Sequence, residues 1–391
     1  MASDLEKGTE ASGRVKSPFL GLALISIVYA SPSINVLVLN SSKLEDQGFS
    51  ETQIAAGECC FWLGWSCASG LLLPQLDGPR KPPIFTLVAV ALTMVTVQCM
   101  VVQPWVFAVS MFVLGGSINP AGQITSFLIQ ENLAPEQRNY SMSAVNVLCS
   151  ITVCLTGTIC GTVTKSMSWS LETFFWYSQL FVVLALGPYL VPESPVFSMK
   201  PSESTHLVEE NSVSAVTLLC GEKFMRKMAA TAVCWAAVVT GYYGLTYSAG
   251  DLSPNIYLNM VLSGLVDLVT YAIAAWLIAC LGGSVQSQLI SFFMAAAALL
   301  ICGLLPSGSV TLMGVALIGR FWLNVAFQTV YLLIVEVFPP ELRYAAMGFA
   351  NVFARAVGAT SPLLALLPAT VSCPILGLLS LVACGCTTFL L

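Results

Sequence analysis

Two stretches of this chain decide its fold: ENLAPEQR at residues 131–138 and EVFPPELR at residues 336–343. In each stretch a Glu closes a long apolar segment, and an Arg follows seven residues later, just past a turn that contains Pro. The pairs are Glu131 with Arg138 and Glu336 with Arg343, 205 positions apart. We predict that each pair forms an ionic latch at a membrane surface. A pattern repeated in this way indicates two similar bundles of membrane helices, a design that usually moves a solute between its halves.

The composition requires a lipid bilayer as the solvent. The 391 residues are 57% hydrophobic and only 9% charged, and the mean hydropathy is +0.83. A soluble protein could not cover that much apolar surface. Segments of about 20 apolar residues cross a hydrocarbon core. The chain offers twelve, at 17–39, 52–74, 83–102, 104–130, 141–163, 169–191, 225–247, 254–280, 286–305, 309–337, 343–367 and 371–391. We therefore predict an all-α membrane protein.

The polar stretch at residues 192–224 is the longest between these segments and is interpreted as a cytoplasmic linker. It would separate an N-terminal six-helix bundle at 17–191 from a C-terminal six-helix bundle at 225–391. Residues 1–16 are predicted to be a cytoplasmic N-terminus.

The loop cations set the predicted orientation, because loops rich in Lys and Arg stay in the cytoplasm. With both termini inside, eleven cations fall on the inner face and only Lys43 and Lys165 on the outer face. Asn40-Ser41-Ser42 is then an N-glycosylation sequon on the outer face.

Arg355 lies twelve residues into the predicted span 343–367, about 18 Å from the inner surface. A cation near the midplane costs at least about 2.5 kcal/mol, so it must face a partner or a wet cavity. One interpretation is a site for an organic carboxylate or sulfate, which Arg binds bidentately. The other is an internal salt bridge, and its candidate partner is Glu58 in the span 52–74.

Five aromatic residues lie in two of the C-terminal spans: Trp235, Tyr242, Tyr243, Phe327 and Tyr331. Trp235 and Tyr242 are seven residues apart, and Phe327 and Tyr331 are four apart, so each pair shares one helix face. Such faces either bind flat hydrophobic ligands or form belts that face lipid. Belts sit at span ends, whereas Trp235, Phe327 and Tyr331 lie further in, which favours a cavity lining.

Asp267 and Arg320 are two further charges inside predicted spans, and either coupling machinery or a tie between helices would explain them. We favour the tie. The only histidine, His206, falls in the linker, so any proton coupling would need Glu58 or Asp267. The chain has no GxxxxGK[ST], HExxH or GxSxG motif and no clustered His or Cys. An enzyme is not expected, nor is a cofactor, a metal or a nucleic-acid partner.

Four stretches together resemble the organic cation and anion transporter family (solute carrier 22) of the major facilitator superfamily. They are PESP at 192–195, the segment from Trp235 to Leu268, EVFP with Arg343, and Ala354-Arg355 with Ser361-Pro362. The resemblance implies a major facilitator fold of 12 transmembrane helices in two six-helix bundles that works by alternating access. It also implies anion specificity from Arg355 and a central cavity lined by Trp235, Tyr242, Tyr243 and Tyr331.

Several positions depart from the family pattern. The loop before the third span keeps the basic residues Arg80 and Lys81, which we predict to act in gating, but has Gln75 and Leu76 where Asp-Arg is usual. Phe112 stands where Arg is usual. In the family such charges stabilise the outward-open state, so their loss predicts a shifted or slower conformational cycle.

We therefore expect secondary-active or facilitative transport of organic ions, most of all amphipathic organic anions, by a monomer in the plasma membrane. Its expected partners are a small organic ion and the lipid bilayer. The alternative is a membrane receptor or scaffold that keeps the fold and does not transport. The weakened cytoplasmic gate supports that alternative, whereas Arg355 and the aromatic residues oppose it.

Overall fold

The computed structural model describes residues 18–31, 33–71, 78–133, 135–195 and 222–390, and within these ranges the chain is helical with short connections and no strand. The α-helices, numbered in chain order, are α1 Pro18–Tyr29, α2 Ser33–Glu45, α3 Glu51–Leu71, α4 Lys81–Met100, α5 Pro104–Glu131, α6 Pro135–Thr162, α7 Trp169–Tyr177, α8 Gln179–Leu190, α9 Glu222–Tyr247, α10 Ala249–Leu252, α11 Ile256–Cys280, α12 Ser284–Cys302, α13 Val310–Val337, α14 Pro340–Gly358, α15 Ser361–Leu364 and α16 Ala369–Thr387. Residues 196–221 of the predicted linker lie outside the described residues.

Several helices begin where a polar side chain can satisfy the free amides of the first turn. Ser168 accepts a hydrogen bond from the Leu171 amide at the start of α7. Asn255 caps α11 and Ser309 caps α13 in the same way. Local sequence thus fixes where these spans begin.

Nine helices in the described part of the chain are long and apolar enough to cross a membrane. Helices α1 and α2 together make a tenth candidate, bent by 45° at its break. The predicted spans 52–74 and 343–367 correspond to α3 and α14, which are not among these nine. A helix enclosed by protein does not need an apolar surface on every side, so α3 and α14 can still be spans. Each of the twelve predicted spans then has a helical counterpart, and the all-α membrane fold is confirmed.

Helices α3 and α14 pack against each other and join α1–α8, the N-terminal half, to α9–α16, the C-terminal half. Ser66 Oγ of α3 donates a hydrogen bond to the Val352 carbonyl oxygen of α14 at 2.9 Å. Helices α6 and α11 form the second contact between the halves. There a Cβ on Gly264 would lie 2.6 Å from Cys154 Sγ, so this close approach requires a glycine.

Following the predicted orientation, we call the end of the bundle that carries Arg80 and Glu131 the inner end, and the opposite end the outer end. At the outer end α2 also contacts α9 and α11 of the other half. The two halves therefore meet along their outer ends in this structure.

Candidate functional site

Arg355 lies on α14 where the two halves meet, and its side chain is only 4% exposed. Its Nε donates a hydrogen bond to Asn351 Oδ1 at 3.1 Å, one turn earlier on the same helix. Its guanidinium carbon lies 3.7 Å from the centre of the Trp65 ring and 5.7 Å from that of Trp62. The Nη1 atom is buried and has no hydrogen-bond partner among the described residues. The cation is thus held by stacking and one neutral amide, with donor capacity left over.

The predicted ion pair between Glu58 and Arg355 is not formed in this structure. The Glu58 side chain is 5% exposed and makes no hydrogen bond or ion pair with any described residue. Arg355 instead packs on Trp65, which lies seven residues, or about 10 Å of helix rise, further along α3. The two charges are on facing helices but at different depths.

Seven aromatic rings from both halves form a continuous series, which we call the aromatic row. In order they are Trp65, Trp62, Tyr243, Tyr242, Phe327, Tyr331 and Trp235, with successive ring centres 5.3, 4.5, 4.9, 6.2, 5.8 and 4.7 Å apart. These separations are those of edge-to-face and offset contacts, which stabilise aromatic pairs beyond their buried area. The row runs from Arg355 into the C-terminal half.

Members of the aromatic row differ in how accessible they are. Trp235 is 0% exposed and ends the row inside the core, whereas Tyr242, Tyr243, Phe327 and Tyr331 are half-buried. The five aromatics predicted from the sequence therefore lie together, and four of them present part of their surface.

The sequence reasoning missed Trp62 and Trp65, the members that touch Arg355. The signal was present, because Glu58, Trp62 and Trp65 follow each other at four and three residues and so share one face of α3. That face packs on α14, and the spacing alone could have pointed to it.

Arg320 and Asp267 form the tie that the sequence favoured. Arg320 Nε and Nη2 donate to the two carboxylate oxygens of Asp267, each at 2.8 Å. Tyr242 OH and Asn324 Nδ2 donate to the same carboxylate at 2.7 and 2.6 Å. Arg320 Nη1 donates to Thr246 Oγ1 at 2.9 Å. This network joins α9, α11 and α13 within the C-terminal half and leaves the carboxylate with four donors.

The family model of the Major Facilitator Superfamily matches residues 19–362 of this chain. The chain belongs to the major facilitator superfamily. Its relatives include solute carrier family 22 member 15 from Xenopus tropicalis, 33% identical over 136 residues, which are 33% of this chain and 26% of the relative. An organic cation transporter-like protein from Drosophila melanogaster is 30% identical over 189 residues, 48% of this chain and 32% of the relative. Solute carrier family 22 member 6 from Mus musculus is 26% identical over 160 residues, 41% of this chain and 29% of the relative.

The matched segments span about a third or less of those relatives' own length. The superfamily follows from the family model, and the multi-pass membrane architecture agrees with the apolar helices. The similarity to solute carrier 22 proteins agrees with the resemblance found in the sequence.

At the inner end of this major facilitator chain, Glu131 pairs with Arg80, with Nη2 and Oε1 3.0 Å apart. Glu193, which lies in the PESP stretch, accepts hydrogen bonds from the amides of Arg80 and Lys81 at the start of α4. Lys81 Nζ donates to the Pro188 carbonyl oxygen at 3.2 Å. The side chain of Arg138 lies outside the described residues, so its predicted pairing with Glu131 stays a prediction.

The C-terminal half of the superfamily repeat is built differently at the same place. Glu336 accepts a hydrogen bond from Ser284 Oγ at the start of α12. Arg343 Nε donates to the Phe338 carbonyl oxygen at 3.1 Å. Within the described part of the chain Glu336 and Arg343 do not form the predicted ion pair, and each bonds instead to the partner just named.

Asn40, the predicted glycosylation site, lies inside α2 and is 1% exposed. Its Nδ2 atom, to which a sugar would be attached, is buried and has no partner among the described residues. Glycosylation needs an exposed acceptor on the protein surface, so this placement does not favour the predicted modification.

Proposed function

We propose that this protein carries amphipathic organic anions across the membrane by alternating access, with Arg355 as the anion anchor. The observation that carries the proposal is a guanidinium, buried where the two halves meet, that has no carboxylate partner among the described residues and an unpartnered Nη1. A carboxylate or sulfate group supplies the acceptors that this geometry lacks.

The aromatic row supports an apolar, flat portion in the same substrate. Its half-buried members Tyr242, Tyr243, Phe327 and Tyr331 offer ring faces and hydroxyl groups along the row that begins at the cation. Membership of the superfamily supports solute movement between the halves, and the similarity to solute carrier 22 proteins supports an organic ion as the solute.

The burial of Arg355 supports alternating access. A side chain that is 4% exposed cannot receive a ligand in this arrangement, so the halves must separate at one end to admit it. The plasma membrane and cytoplasmic termini are part of this proposal, supported by the distribution of loop cations.

Uptake by cells tests the proposal. Wild type, Arg355→Ala and Arg355→Asp are expressed at matched surface level and given a panel of aromatic sulfates, aromatic carboxylates and aromatic quaternary amines. We expect uptake of at least one anion by wild type and its loss in both variants. The control is Arg226→Ala, which removes an exposed cation at the inner end of α9 and should keep wild-type uptake.

Two outcomes would count against the proposal. Uptake of amines alone would assign the site to cations. No uptake by wild type that reaches the surface would favour the receptor or scaffold that the weakened inner-end charges suggest.

A further inference from the structure

Glu58 differs from the other carboxyl groups buried in the described helices. Asp267 accepts four hydrogen bonds, two of them from Arg320. Glu172 bonds to Lys43 Nζ and to Thr164 Oγ1. Glu58 has neither a cation nor a hydrogen-bond donor among the described residues. It is the embedded carboxyl group whose charge the surrounding fold leaves uncompensated.

The elements packed against α3 supply no counter-charge for Glu58. Helix α5 carries only Glu131, which pairs with Arg80, and α15 has no titratable residue. On α14, Arg355 is held on Trp65, and on α2, Lys43 pairs with Glu172. The remaining titratable neighbours with described side chains are Glu51, Cys59, Cys60 and Cys67 on α3, Tyr243 and Tyr247 on α9, Glu45 on α2 and Arg343 on α14. None of these groups hydrogen bonds to Glu58.

Glu58 is buried without a hydrogen-bond donor, and this determines which protonation state of its carboxyl group is the more stable. A desolvated carboxylate with no partner costs several kcal/mol, whereas the neutral acid costs far less. The closed interface therefore favours a carboxyl group that has taken up a proton.

The position of Glu58 connects its proton to the conformational cycle. It lies one helical turn on the outer side of Trp62, whose Nε1 donates to Tyr247 OH of the C-terminal half at 3.1 Å. Measured from Glu51, where α3 begins, it is about 10 Å deep. Separating the halves at the outer end breaks the contact of Trp62 with Tyr247 and opens Glu58 to outer water.

We propose that Glu58 is a proton-binding site that couples transport of the organic anion to the proton gradient. With the outer end open, the Glu58 carboxylate takes a proton from outer water and an anion binds Arg355. The proton neutralises Glu58 and the anion balances the charge of Arg355, which favours closure of the outer end around them. When the inner end opens, the O–H bond breaks, the proton passes to inner water and the anion leaves. One proton and one monovalent anion move together, and no net charge crosses.

The test separates exchange from accumulation in liposomes that contain purified protein. The probe is 4-methylumbelliferyl sulfate, which is a strong acid and stays singly charged at every pH used. Exchange of labelled for unlabelled probe at equal pH reports anion transport alone. Accumulation driven by an acidic exterior reports proton coupling, and one pH unit corresponds to about tenfold at full coupling. This inference rests on the proposed function, and the exchange arm tests that function separately.

We expect wild type to exchange the probe and to accumulate it about tenfold per pH unit. Glu58→Gln, which mimics the neutral acid, should exchange within about twofold of wild type and show no accumulation, whereas Glu58→Asp should retain accumulation. Glu45→Gln, an exposed carboxyl at the outer end, is the matched control and should behave as wild type.

Two results would overturn the inference, and they differ. Wild-type exchange without accumulation, or accumulation that survives Glu58→Gln, would show that Glu58 carries no coupled proton. Absence of exchange by correctly folded wild type would instead remove the proposed function, and the inference with it.

Discussion

Two arginines are buried within the same half of this protein, and their surroundings are opposite. Arg320 is 2% exposed, and its bonds to Asp267 and Thr246 use all three of its nitrogens. Arg355 is 4% exposed, and the structure gives it a hydrogen bond to the neutral amide of Asn351, no carboxylate partner among the described residues, and an indole on which it rests. A buried charge that the fold itself satisfies is a structural element. A buried charge that the fold leaves unsatisfied is expensive to keep, and such residues mark sites of ligand or ion passage.

The largest predicted effect comes from removing the satisfied arginine. Arg320→Met leaves the Asp267 carboxylate buried without its cation, which costs about 3–5 kcal/mol in the free energy of unfolding. We expect a lower thermal unfolding midpoint in detergent and a lower yield of monodisperse protein. Adding Asp267→Leu should restore most of the loss, because it removes the orphaned charge.

The matched control is Arg355→Met, which removes a cation of similar burial. No carboxylate is orphaned by that change, so the free energy of unfolding should stay within about 1 kcal/mol of wild type. If Arg320→Met and Arg355→Met destabilise the protein equally, the conclusion that only Arg320 is a structural element is contradicted. The measurement is the same thermal unfolding curve for all four proteins.

A second prediction asks whether Arg355 acts through its charge alone. Arg355→Lys keeps the positive charge but loses the planar group that stacks on Trp65 and can bind an anion bidentately. We expect kcat/KM for uptake of 4-methylumbelliferyl sulfate to fall about tenfold, which corresponds to about 1.4 kcal/mol. Arg226→Lys, at an exposed position, is the control. Unchanged uptake by Arg355→Lys would mean that a point charge suffices and that the stacking is incidental.

Much of this contrast could be predicted from the sequence. The apolar segments of about 20 residues gave the helices, and the recurrence of a Glu and an Arg in two stretches indicated two related halves. Arg355 was identified because a cation near the middle of a span is costly whatever surrounds it. The aromatic residues on α9 and α13 followed from helical spacing.

Pairings between helices could not be predicted in the same way. Asp267 and Arg320 are 53 residues apart, and Arg80 and Glu131 are 51 apart, so their contacts depend on how separate helices pack. The sequence offered Arg138 as the partner of Glu131 because it is near in the chain, whereas the Arg80 partner comes from a different loop.

Depth along a helix was the other missing quantity. Opposite charges on α3 and α14 suggested that Glu58 and Arg355 meet, since the two helices do face each other. The two side chains lie at different depths in the bundle and therefore do not meet. No sequence pattern specifies this difference in depth. Trp65 occupies the place that the prediction gave to Glu58.

A third prediction concerns that indole. Trp65→Leu removes the ring that lies 3.7 Å from the Arg355 guanidinium and keeps an apolar side chain. A buried cation–π contact is worth about 1–2 kcal/mol, so Arg355 should lose part of its positioning. We expect KM for the same probe to rise about fivefold to tenfold with a smaller change in kcat. The control is Trp276→Leu, an exposed tryptophan on α11, and equal effects of the two substitutions would indicate a general loss of packing.

The smallest predicted effect on transport is at Tyr242, where the surroundings of the two arginines meet. Its hydroxyl donates to Asp267 at 2.7 Å, its ring lies 4.1 Å from the Arg320 guanidinium carbon, and it touches Tyr243 in the aromatic row. Tyr242→Phe removes only the hydroxyl. Asp267 keeps three donors, so the free energy of unfolding should fall by about 1–2 kcal/mol, and uptake should stay within about twofold because the ring remains. If uptake falls tenfold while stability is unchanged, the hydroxyl serves the substrate and not the carboxylate. The transport site would then extend to Tyr242, and the structural network of Arg320 would consist of Asp267, Thr246 and Asn324.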